Sequence, residues 1–435
     1  MPRGKRRRIA FLSPLPPART GIATYSEAVL RGLRARRFPH ELVSPWPLPP
    51  RVDELVGGAA LPVYHLGNNV EFHGEIYRLA VRRPGLVVLH DLALDDLARA
   101  FLNAGDPLGT RTEAEADAAR ERLLEARPEV HGPLEVPWCA YVVRRARGVV
   151  VHSKFGRRYL DALGTRTPVY VVPHPVIDPL RAARKAGRRA EAIRERLGEQ
   201  VIVGVLGDVG EAKALDAVLQ ATAMIDPPVH LAIVGRRIPG YDVEAAMGEY
   251  GNADRVTVAT DVTEADFYAW LQASDVVVNL RYPHRGEVSG TLIRALAAGK
   301  PVVVQATGTY LDWPGDAVIR IPGGRPDPQE LAEALRRLAG DPKLRQDIGA
   351  RAREHMDRLR RSEATAAGYA HAIEETLRLT VDPARRAVAR WAEALAALGA
   401  GEPDGRLATG YVDAVSEMDS VETGVSWSGG SGLQG

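Results

Sequence analysis

The stretch VVVNLRYPHRGEVSGTLIRALAAGKPVVV, residues 276–304, carries the pattern that decides the fold. An apolar strand runs into a polar loop, a helix begins at a Ser-Gly-Thr sequence, and a second apolar strand follows. Parallel strands need a crossover of this kind, usually a helix, so the pattern predicts a parallel sheet. The polar loop follows the carboxyl end of a strand, which is where open parallel sheets bind their ligands.

The same alternation of short apolar runs and helical sequence extends outward from this stretch in both directions. The clearest runs are RIAFLS (8–13), ALPVYHL (60–66), LVVLH (86–90), GVVVHS (148–153), VIVGVLG (201–207), VHLAIVG (229–235) and DVVVNL (275–280). A basic, alanine-rich stretch at residues 181–198 interrupts the alternation, which then starts afresh. The sequence therefore predicts an α/β fold with two doubly wound, Rossmann-like domains that face a cleft.

This pattern divides the chain into four segments. We predict a first domain at residues 1–182, a second at 183–375, a C-terminal helix at 376–400 and a tail at 401–435. The tail is rich in Gly, Ser and acidic residues. Such a segment buries too little apolar surface to offset the entropy of ordering, so we expect it to be disordered.

The composition of the 435 residues excludes several classes of protein. With 45% hydrophobic and 26% charged residues, the body of the chain is not intrinsically disordered. A net charge of +2 provides no general field for attracting nucleic acid. The single cysteine, Cys139, cannot form an intrachain disulfide or a multi-cysteine metal site, which favours the reducing cytoplasm.

Membrane contact is limited by the sequence to the surface of a bilayer. No run approaches the ~20 apolar residues of a membrane-spanning helix, and the apolar run Ile9–Leu12 is too short for a signal peptide. We therefore expect a cytoplasmic protein. The basic cluster Arg3–Arg8 leaves two interpretations open. It is either a solvated arm before the first strand or a peripheral contact with anionic lipid on the inner face of the membrane.

A glycine-containing turn is the first candidate for phosphate binding. VLGDVGEAKALDAVL, residues 205–219, is a strand, a turn with Gly207 and a helix whose beginning carries Lys213. Helix N-termini offer unpaired N–H groups to anions, and a lysine there can neutralise a diphosphate. The turn matches neither the dinucleotide pattern nor the P-loop pattern, so a plain structural turn stays an equal alternative.

The loop before the Ser-Gly-Thr helix start combines cations with a carboxylate. Arg281 and Arg285 are candidates to neutralise phosphate, and the N–H groups of Ser289 and Gly290 are candidates to bind it. Because a carboxylate repels phosphate, Glu287 makes chemical sense if it binds sugar hydroxyls instead. The alternative is that Glu287 only stabilises the N-terminal end of the helix dipole.

His90 lies at the carboxyl end of an apolar strand, next to Asp91. We interpret it as a cleft residue, with a hydrogen-bonded core histidine as the alternative. The histidines at other strand ends have no Asp or Glu at metal-ligand spacing, so we expect no metal site. The sequence holds no G-x-S-x-G motif, which gives serine-hydrolase chemistry little support.

These residues resemble the retaining family-four glycosyltransferases, which have the GT-B architecture of two Rossmann-like domains. The resemblance covers about residues 7–375. It is most specific at residues 273–304, where Glu287 resembles the first glutamate of the family's E-x7-E donor-site signature. Lys213 lies where the family has its phosphate-binding lysine.

The first domain carries further points of resemblance, and the second carries two departures. SPLPPARTGIATYSEAVL, residues 13–30, looks like the family's loop whose glycine, here Gly21, lets the backbone approach the donor diphosphate. The family's second E-x7-E glutamate, which holds the nucleotide ribose, is replaced by Ala295 here. An arginine that often lies beside the phosphates in the family is replaced by Asp208.

The resemblance implies transfer of a sugar from a nucleotide diphosphate sugar to a hydroxyl acceptor, with retention of anomeric configuration. The acceptor would be a glycan or glycolipid of the cell envelope, as in polysaccharide biosynthesis, bound on the first domain, with the donor on the second. No metal or other cofactor would be needed. Glu287 would orient the donor sugar and His90 would hydrogen-bond near the reacting centre. Two alternatives stay open: a nucleotide-sugar epimerase of the same fold, and a non-catalytic transferase-like subunit.

Overall fold

The computed structural model describes residues 6–176, 184, 186–226, 228–250, 253–361 and 363–381. The chain divides into two compact units, Met1–Ala372 and Ile373–Gly435, and both β-sheets lie in the first unit. Of the second unit, the described part is the end of one helix. The predicted domain boundary at residue 182, most of the predicted helix 376–400 and the predicted tail 401–435 lie outside the described residues.

The first sheet has six parallel strands in the order β2-β1-β3-β4-β5-β6. The strands are β1 (Arg8–Leu12), β2 (Glu41–Val43), β3 (Leu61–Leu66), β4 (Leu86–Leu89), β5 (Gly148–Val151) and β6 (Val169–Val171). The helices are α1 (Gly21–Ala35), α2 (Val52–Gly57), α3 (Val70–Arg82), α4 (Asp95–Asn103), α5 (Pro107–Ala126), α6 (Ala140–Arg145) and α7 (Lys154–Ala162). Strands β3, β4 and β5 are buried along their whole length, as expected for a parallel sheet with helices on both faces.

The second sheet repeats this arrangement with the strand order β12-β11-β10-β7-β8-β9. The strands are β7 (Ile202–Val209), β8 (His230–Arg237), β9 (Val256–Thr260), β10 (Val276–Val278), β11 (Val302–Gln305) and β12 (Ile319–Ile321). The helices are α8 (Arg188–Leu197), α9 (Leu215–Ala223), α10 (Val243–Tyr250), α11 (Glu264–Ala273), α12 (Gly290–Ala297), α13 (Pro328–Gly340), α14 (Pro342–Arg361) and α15 (Ala364–Val381). All pairs in this sheet are parallel too, with Gly207 opposite Gly235 in the β7–β8 register.

Polar side chains fix where the helices that border the site begin. Thr20 precedes α1 and its hydroxyl accepts a hydrogen bond from the N–H of Ile22. Ser289 precedes α12 and accepts from the N–H of Leu292 at 3.3 Å. Such capping satisfies only one of the free N–H groups of a helix end, so the others stay available to an anion.

The strand order reverses between β1 and β3 in the first sheet and between β7 and β10 in the second. Loops on the two sides of such a point leave in opposite directions, and the crevice between them is the usual ligand site of an open parallel sheet. The two doubly wound sheets confirm the predicted α/β fold. In the described ranges, no helix is both long and apolar enough to cross a membrane.

Candidate active site

A cavity of about 1000 Å³ lies between the two sheets, inside the first unit. Its lining on the side of the first sheet includes Arg19, Thr20, Gly21, Tyr25, His90, Asp91, His152 and His174. Its lining on the side of the second sheet includes Gly207, Asp208, Gly235, Arg236, Asp261, Glu264, Phe267, Tyr268, Arg281, Glu287, Gly290, Thr291 and Arg294. Most of these residues follow the carboxyl ends of strands, so the predicted cleft exists and collects the polar groups of both sheets.

The structure brings six of the nine predicted site residues to this cavity. Those that line it are Gly21, His90, Gly207, Arg281, Glu287 and Gly290. The other three, Lys213, Arg285 and Ser289, lie behind or beside it. Ser289 lies between two lining residues but is itself buried. Its side chain caps the N-terminus of α12, so the capping residue of this helix is Ser289 and not Glu287.

Glu287 is held at the cavity by two contacts that use both carboxylate oxygens. Oε1 lies 3.0 Å from Nε of Arg281, and Oε2 accepts a hydrogen bond from the N–H of Arg285 at 2.8 Å. Burial by itself would raise the pKa of Glu287, but His284, Arg281 and the backbone N–H of Arg285 together lower it below its usual value. Glu287 is therefore an ionised, fixed acceptor for hydrogen-bond donors on a ligand.

Lys213 lies behind the Gly207 turn. Its side chain is buried, and Nζ donates to the carbonyl of Leu206 at 3.0 Å. Burial, and then the charge of Arg281, lower the pKa of Lys213 well below its usual value. A Cβ at Gly207, whose φ is +109°, would lie 3.5 Å from this Nζ, so the lysine supports the turn from beneath.

The side chain of Arg285 pairs with Asp95, on the side of the first sheet, and does not line the cavity. Its Nε lies 3.0 Å from Oδ1 of Asp95, a buried residue at the start of α4. Its carbonyl accepts hydrogen bonds from the N–H groups of Leu92 and Ala93 at 3.0 and 3.1 Å. Gly286 packs so tightly here that a Cβ would lie 2.6 Å from Leu92. The loop that carries Glu287 is therefore anchored across the cavity by its neighbour Arg285.

Arg236 is a cavity cation that the sequence analysis missed. It lies opposite Asp208 in the β7–β8 register, and its Nη2 is 3.0 Å from Oδ1 of Asp208. It also donates to the carbonyl of Arg19 in the loop after β1. The signal was present in the sequence, because Arg236 directly follows Gly235 at the end of a buried strand.

Asp91 is a second cavity residue to which the sequence analysis gave no role. Its Oδ2 accepts a hydrogen bond from the N–H of Asn68 at 2.9 Å. Burial, and then the charge of Glu287, raise the pKa of Asp91 to about 7. A carboxyl group with this pKa exchanges a proton near neutral pH, which is what a general acid or base requires. Its position beside His90 was the only signal in the sequence.

His90 belongs to a group of histidines packed around one tyrosine. The ring of Tyr25 lies 4.6 Å from His90, 5.0 Å from His152 and 4.8 Å from His174. The Nε2 atom of His90 is 3.0 Å from Nδ1 of the fully buried His65. Burial, and then the proximity of His152, lower the pKa of His90 well below its usual value. His90 is therefore a neutral hydrogen-bonding group at the cavity surface.

The far wall of the cavity combines aromatic rings with a guanidinium group. Arg294 lies over the rings of Phe267 and Tyr268, 5.3 and 5.9 Å from their centroids. Asp261 and Glu264 line the same wall. Ala295 is fully buried in the core beside Leu292 and Leu296. Arg294 of α12 therefore covers two buried rings of α11 on this wall.

No group of three or more His, Cys, Asp or Glu side chains in the described ranges is arranged to hold a metal ion. The expectation of a metal-free site stays a prediction.

Comparison with known proteins finds a family model that matches part of the chain. Residues 188–355 match the family model for glycosyl transferases group 1. A 2-deoxystreptamine glucosyltransferase of Streptomyces kanamyceticus is 26% identical over 49% of this chain and 56% of its own length. A D-inositol 3-phosphate glycosyltransferase of Xylanimonas cellulosilytica is 32% identical over 40% of this chain and 43% of its own length. The chain thus spans about half the length of the curated relatives it matches.

Solved structures match over a larger part of the chain. Sucrose-phosphate synthase from Thermosynechococcus elongatus superimposes with a TM-score of 0.61 at 17% identity, over 85% of this chain and 99% of its own. Anabaena HepE in complex with UDP-glucose superimposes with a TM-score of 0.58 at 17% identity, over 86% of this chain and 99% of its own. The two sheets and their cleft have the GT-B architecture of these neighbours, and the match to the model for glycosyl transferases group 1 covers residues 188–355 of the chain.

Proposed function

We propose that the protein is a glycosyltransferase that moves a sugar from a nucleoside diphosphate sugar to a hydroxyl group, with retention at the anomeric carbon. One observation carries this proposal. The cavity holds an ionised carboxylate, Glu287, paired with Arg281 close to the amino end of α12, and Arg236 lines the same cavity. The carboxylate suits sugar hydroxyls, and the cations and free N–H groups suit a diphosphate.

Charge development in the reaction fits these positions. When the bond between the anomeric carbon and the diphosphate breaks, the sugar gains oxocarbenium character and the leaving diphosphate gains negative charge. Arg236, Arg281 and the N–H groups at Gly290 are fixed where they would stabilise that negative charge, which is the most effective kind of catalysis in a preorganised site. Glu287 would orient the sugar, and His90 would hydrogen-bond beside the reacting carbon.

For a reaction with retention, the contacts of Glu287 distinguish between two routes. Both of its oxygens are engaged by Arg281 and the N–H of Arg285, which makes Glu287 a poor nucleophile for a glycosyl-enzyme intermediate. The remaining route attacks from the side of the leaving group. The acceptor oxygen bonds to the anomeric carbon, the bond to the diphosphate oxygen breaks, and that oxygen takes the acceptor proton.

Different comparisons support the proposed donor and the proposed acceptor. HepE structures contain UDP-glucose, or UDP with glucose, and that fold extends over 86% of this chain, which supports a nucleotide-sugar donor. The curated relatives are named for 2-deoxystreptamine and D-inositol 3-phosphate, which supports a small acceptor with hydroxyl groups beside the predicted envelope glycan or glycolipid. Cytoplasmic location and a peripheral membrane contact through the basic arm stay predictions; of that arm, Arg6, Arg7 and Arg8 are described and exposed.

The raised pKa of Asp91 favours a second candidate function, that of a nucleotide-sugar epimerase. A nucleotide-sugar epimerase needs an acid or base that exchanges protons near neutral pH, and the pKa of Asp91 is raised to about 7. Such an enzyme would convert the nucleotide sugar without forming a glycosidic bond.

Glu287→Gln in the full chain tests the proposal. Glutamine keeps the shape but removes the charge that holds Arg281, so we expect donor hydrolysis to fall by about 100-fold or more. The affinity for the free nucleoside diphosphate should change far less than turnover does, because Arg281 keeps its own positive charge and the ligand contacts that are lost are to the sugar. Hydrolysis of UDP-, GDP- and dTDP-sugars is followed by release of the nucleoside diphosphate, and proton NMR of the product gives its anomeric configuration.

Glu125→Gln is the matched control, because Glu125 is exposed on α5 and does not line the cavity. An inverted product anomer would refute retention. An epimerised nucleotide sugar would favour the second candidate, and tight nucleotide binding without any turnover would favour a non-catalytic subunit.

A further inference from the structure

His65 is a fully buried histidine near the end of β3, and the proposed reaction gives it no role. Its ring packs against the rings of Phe11 and Tyr369, whose centroids lie 4.4 and 6.0 Å from its own. Its carbonyl accepts a hydrogen bond from Nδ1 of His73 at 3.0 Å. These contacts hold the ring of His65 in place behind the cavity.

The pairing of β3 with β4 places His65 beside His90. His65 lies opposite Val88 in the register of the two strands, and the N–H of His90 donates to the carbonyl of Leu66 at 2.8 Å. Because Val88 and His90 are two residues apart, both side chains lie on the face of the sheet that carries His65. The two rings meet there, with Nδ1 of His65 3.0 Å from Nε2 of His90.

Each of these two rings carries one proton at neutral pH. Burial, and then the proximity of His152, lower the pKa of both His65 and His90 well below its usual value. One N–H therefore lies between the two neutral rings, which leaves two arrangements. Either His65 donates from Nδ1 and His90 keeps its own proton on Nδ1, or His90 donates from Nε2 and His65 keeps its proton on Nε2.

The surroundings of the two outer nitrogens favour the first arrangement. Among the described residues, Nε2 of His65 is buried and has no hydrogen-bond partner. A proton there would make a buried N–H without an acceptor, which is the rarer kind of unpaired polar group. Nδ1 of His90, in contrast, belongs to a residue that lines the cavity together with Asp91 and Glu287. The negative charge of Glu287 attracts a proton on this nitrogen and repels a lone pair.

We propose that His65 is a positioning residue that fixes the tautomer of His90, with the proton of His90 on Nδ1 and available to the bound substrate. The hydrogen bond of one ring nitrogen decides whether the other carries the proton, and the N–H of His65 occupies Nε2 of His90. His90 then donates to an oxygen of the substrate and has no free lone pair with which to take a proton.

His90 is therefore a hydrogen-bond donor and not a general base. This agrees with the proposed route, in which an oxygen of the leaving diphosphate takes the acceptor proton. The word substrate rests on the proposed function, whereas the tautomer of His90 is a property of the free protein.

The direct test is NMR of the full chain labelled with ¹⁵N-histidine, at pH 7 and without ligand. Couplings between the ring nitrogens and the carbon-bound ring protons distinguish a protonated nitrogen from an unprotonated one, and His90→Gln identifies the resonances of His90. We expect a protonated Nδ1 and an unprotonated Nε2 in both His90 and His65. A proton on Nε2 of His90 would overturn the proposal.

His65→Asn and His65→Leu form a matched pair, because the two new side chains have nearly the same size and only asparagine donates a hydrogen bond. The amide nitrogen of asparagine is one bond from Cγ, as Nδ1 is in histidine, so it can donate to Nε2 of His90. We expect His65→Asn to keep the tautomer of His90 and His65→Leu to give a mixture of both tautomers. In donor hydrolysis, kcat should be about tenfold lower in His65→Leu than in His65→Asn, with KM values within about twofold of each other.

His355→Leu is the control, because His355 lies on α14 against Trp313 and outside the cavity lining. It should change neither the tautomer of His90 nor kcat. If His90 has the same tautomer in His65→Asn and His65→Leu, His65 only fills space in the core and its positioning role is refuted. If the tautomer changes but the two variants have equal kcat values, the Nδ1 proton is not used on the substrate, which also refutes the proposal.

The two proposals fail in distinguishable ways. If no nucleotide sugar is hydrolysed, the glycosyltransferase proposal fails, but the spectrum of the free protein still tests the effect of His65 on His90. If His65→Leu does not fold, the tautomer of His90 in the native protein needs no variant of His65 and still decides the question.

Discussion

Asp91 lines the cavity as an acid whose ionisation the surrounding protein opposes. Burial, and then the charge of Glu287, raise its pKa from 3.8 to about 7. The protonated form is favoured in the folded protein, so this contribution to stability is present below pH 3.8 and is lost as the pH rises through 7. We expect Asp91→Asn to raise the free energy of unfolding at pH 8 by about 1 to 3 kcal/mol, and by less at pH 5.

Urea unfolding of the full chain at the two pH values measures this. Asp254→Asn serves as the control, since the side chain of Asp254 is 81% exposed and should give no pH-dependent change. An equal gain at pH 5 and pH 8 would show that Asn stabilises the site through packing and that Asp91 ionises normally.

The sequence predicts which residues lie at the ends of strands, but it does not predict whether their side chains face the cavity. His90, Arg281 and Glu287 line the cavity because they follow the carboxyl ends of buried strands. Lys213 and Arg285 lie on equally polar segments but turn to the Leu206 carbonyl and to Asp95. The order of residues along a chain gives the edge of the sheet that they reach. It does not give the direction that a side chain takes within a loop.

Arg236 owes its position to the pairing of two strands. Strands β7 and β8 place Asp208 and Arg236 opposite each other at the cavity, so β8 supplies a cation where β7 carries an acid. We expect Arg236→Met to weaken nucleoside diphosphate binding by roughly 10- to 100-fold, as loss of a charge-assisted hydrogen bond predicts. Calorimetric titration with UDP, at fixed salt, measures the change.

Arg237→Met is the matched control on the same strand. Arg237 pairs with Glu244 and does not line the cavity, so its loss should leave UDP affinity within about twofold. If both variants bind UDP equally well, Arg236 serves only to hold Asp208 and the Arg19 carbonyl, and the diphosphate is neutralised elsewhere.

At the level of elements, the long buried strands and the capped helices could be predicted, and the short edge strands β2 and β12 could not. The Ser-Gly-Thr start of α12 lies where the sequence predicts it, because a Ser side chain is a good cap. Strands β2 and β12 have three residues each and lie at the edges of their sheets. Three partly exposed residues show no period that distinguishes a strand from a loop.

Hydrogen bonds between residues far apart in the chain hold parts of the first unit together. Phe155 N–H donates to Asp312 at 2.8 Å, and the hydroxyls of Tyr25 and Tyr369 lie 2.7 Å apart. These pairs are separated by 157 and 344 residues along the chain. The cleft could be predicted from the strand pattern, but the pairs that hold it together could not, because nothing local in the sequence relates residues so far apart.

The pair between Arg285 and Asp95 makes the strongest case that these contacts also set the geometry of the site. Asp95 is only 3% exposed, and its partner is the residue whose N–H holds Glu287. Breaking one side leaves a buried charge without compensation, so Arg285→Met and Asp95→Asn should each destabilise the protein by more than an exposed pair would. The double variant should be less destabilised than the sum, with a coupling of about 1 to 3 kcal/mol.

This double-mutant cycle is measured by urea unfolding of the native protein, the two single variants and the double variant. The exposed pair Arg358 and Glu354 on α14 gives the control cycle, where a coupling of only about 0.3 to 0.5 kcal/mol is expected. Donor hydrolysis provides the second measurement, because a displaced loop moves Glu287 and should lower kcat in Arg285→Met more than it raises KM. Additive losses of stability together with an unchanged kcat would mean that Arg285 and Asp95 are neighbours without consequence, and that the loop is held by its backbone contacts to Leu92 and Ala93.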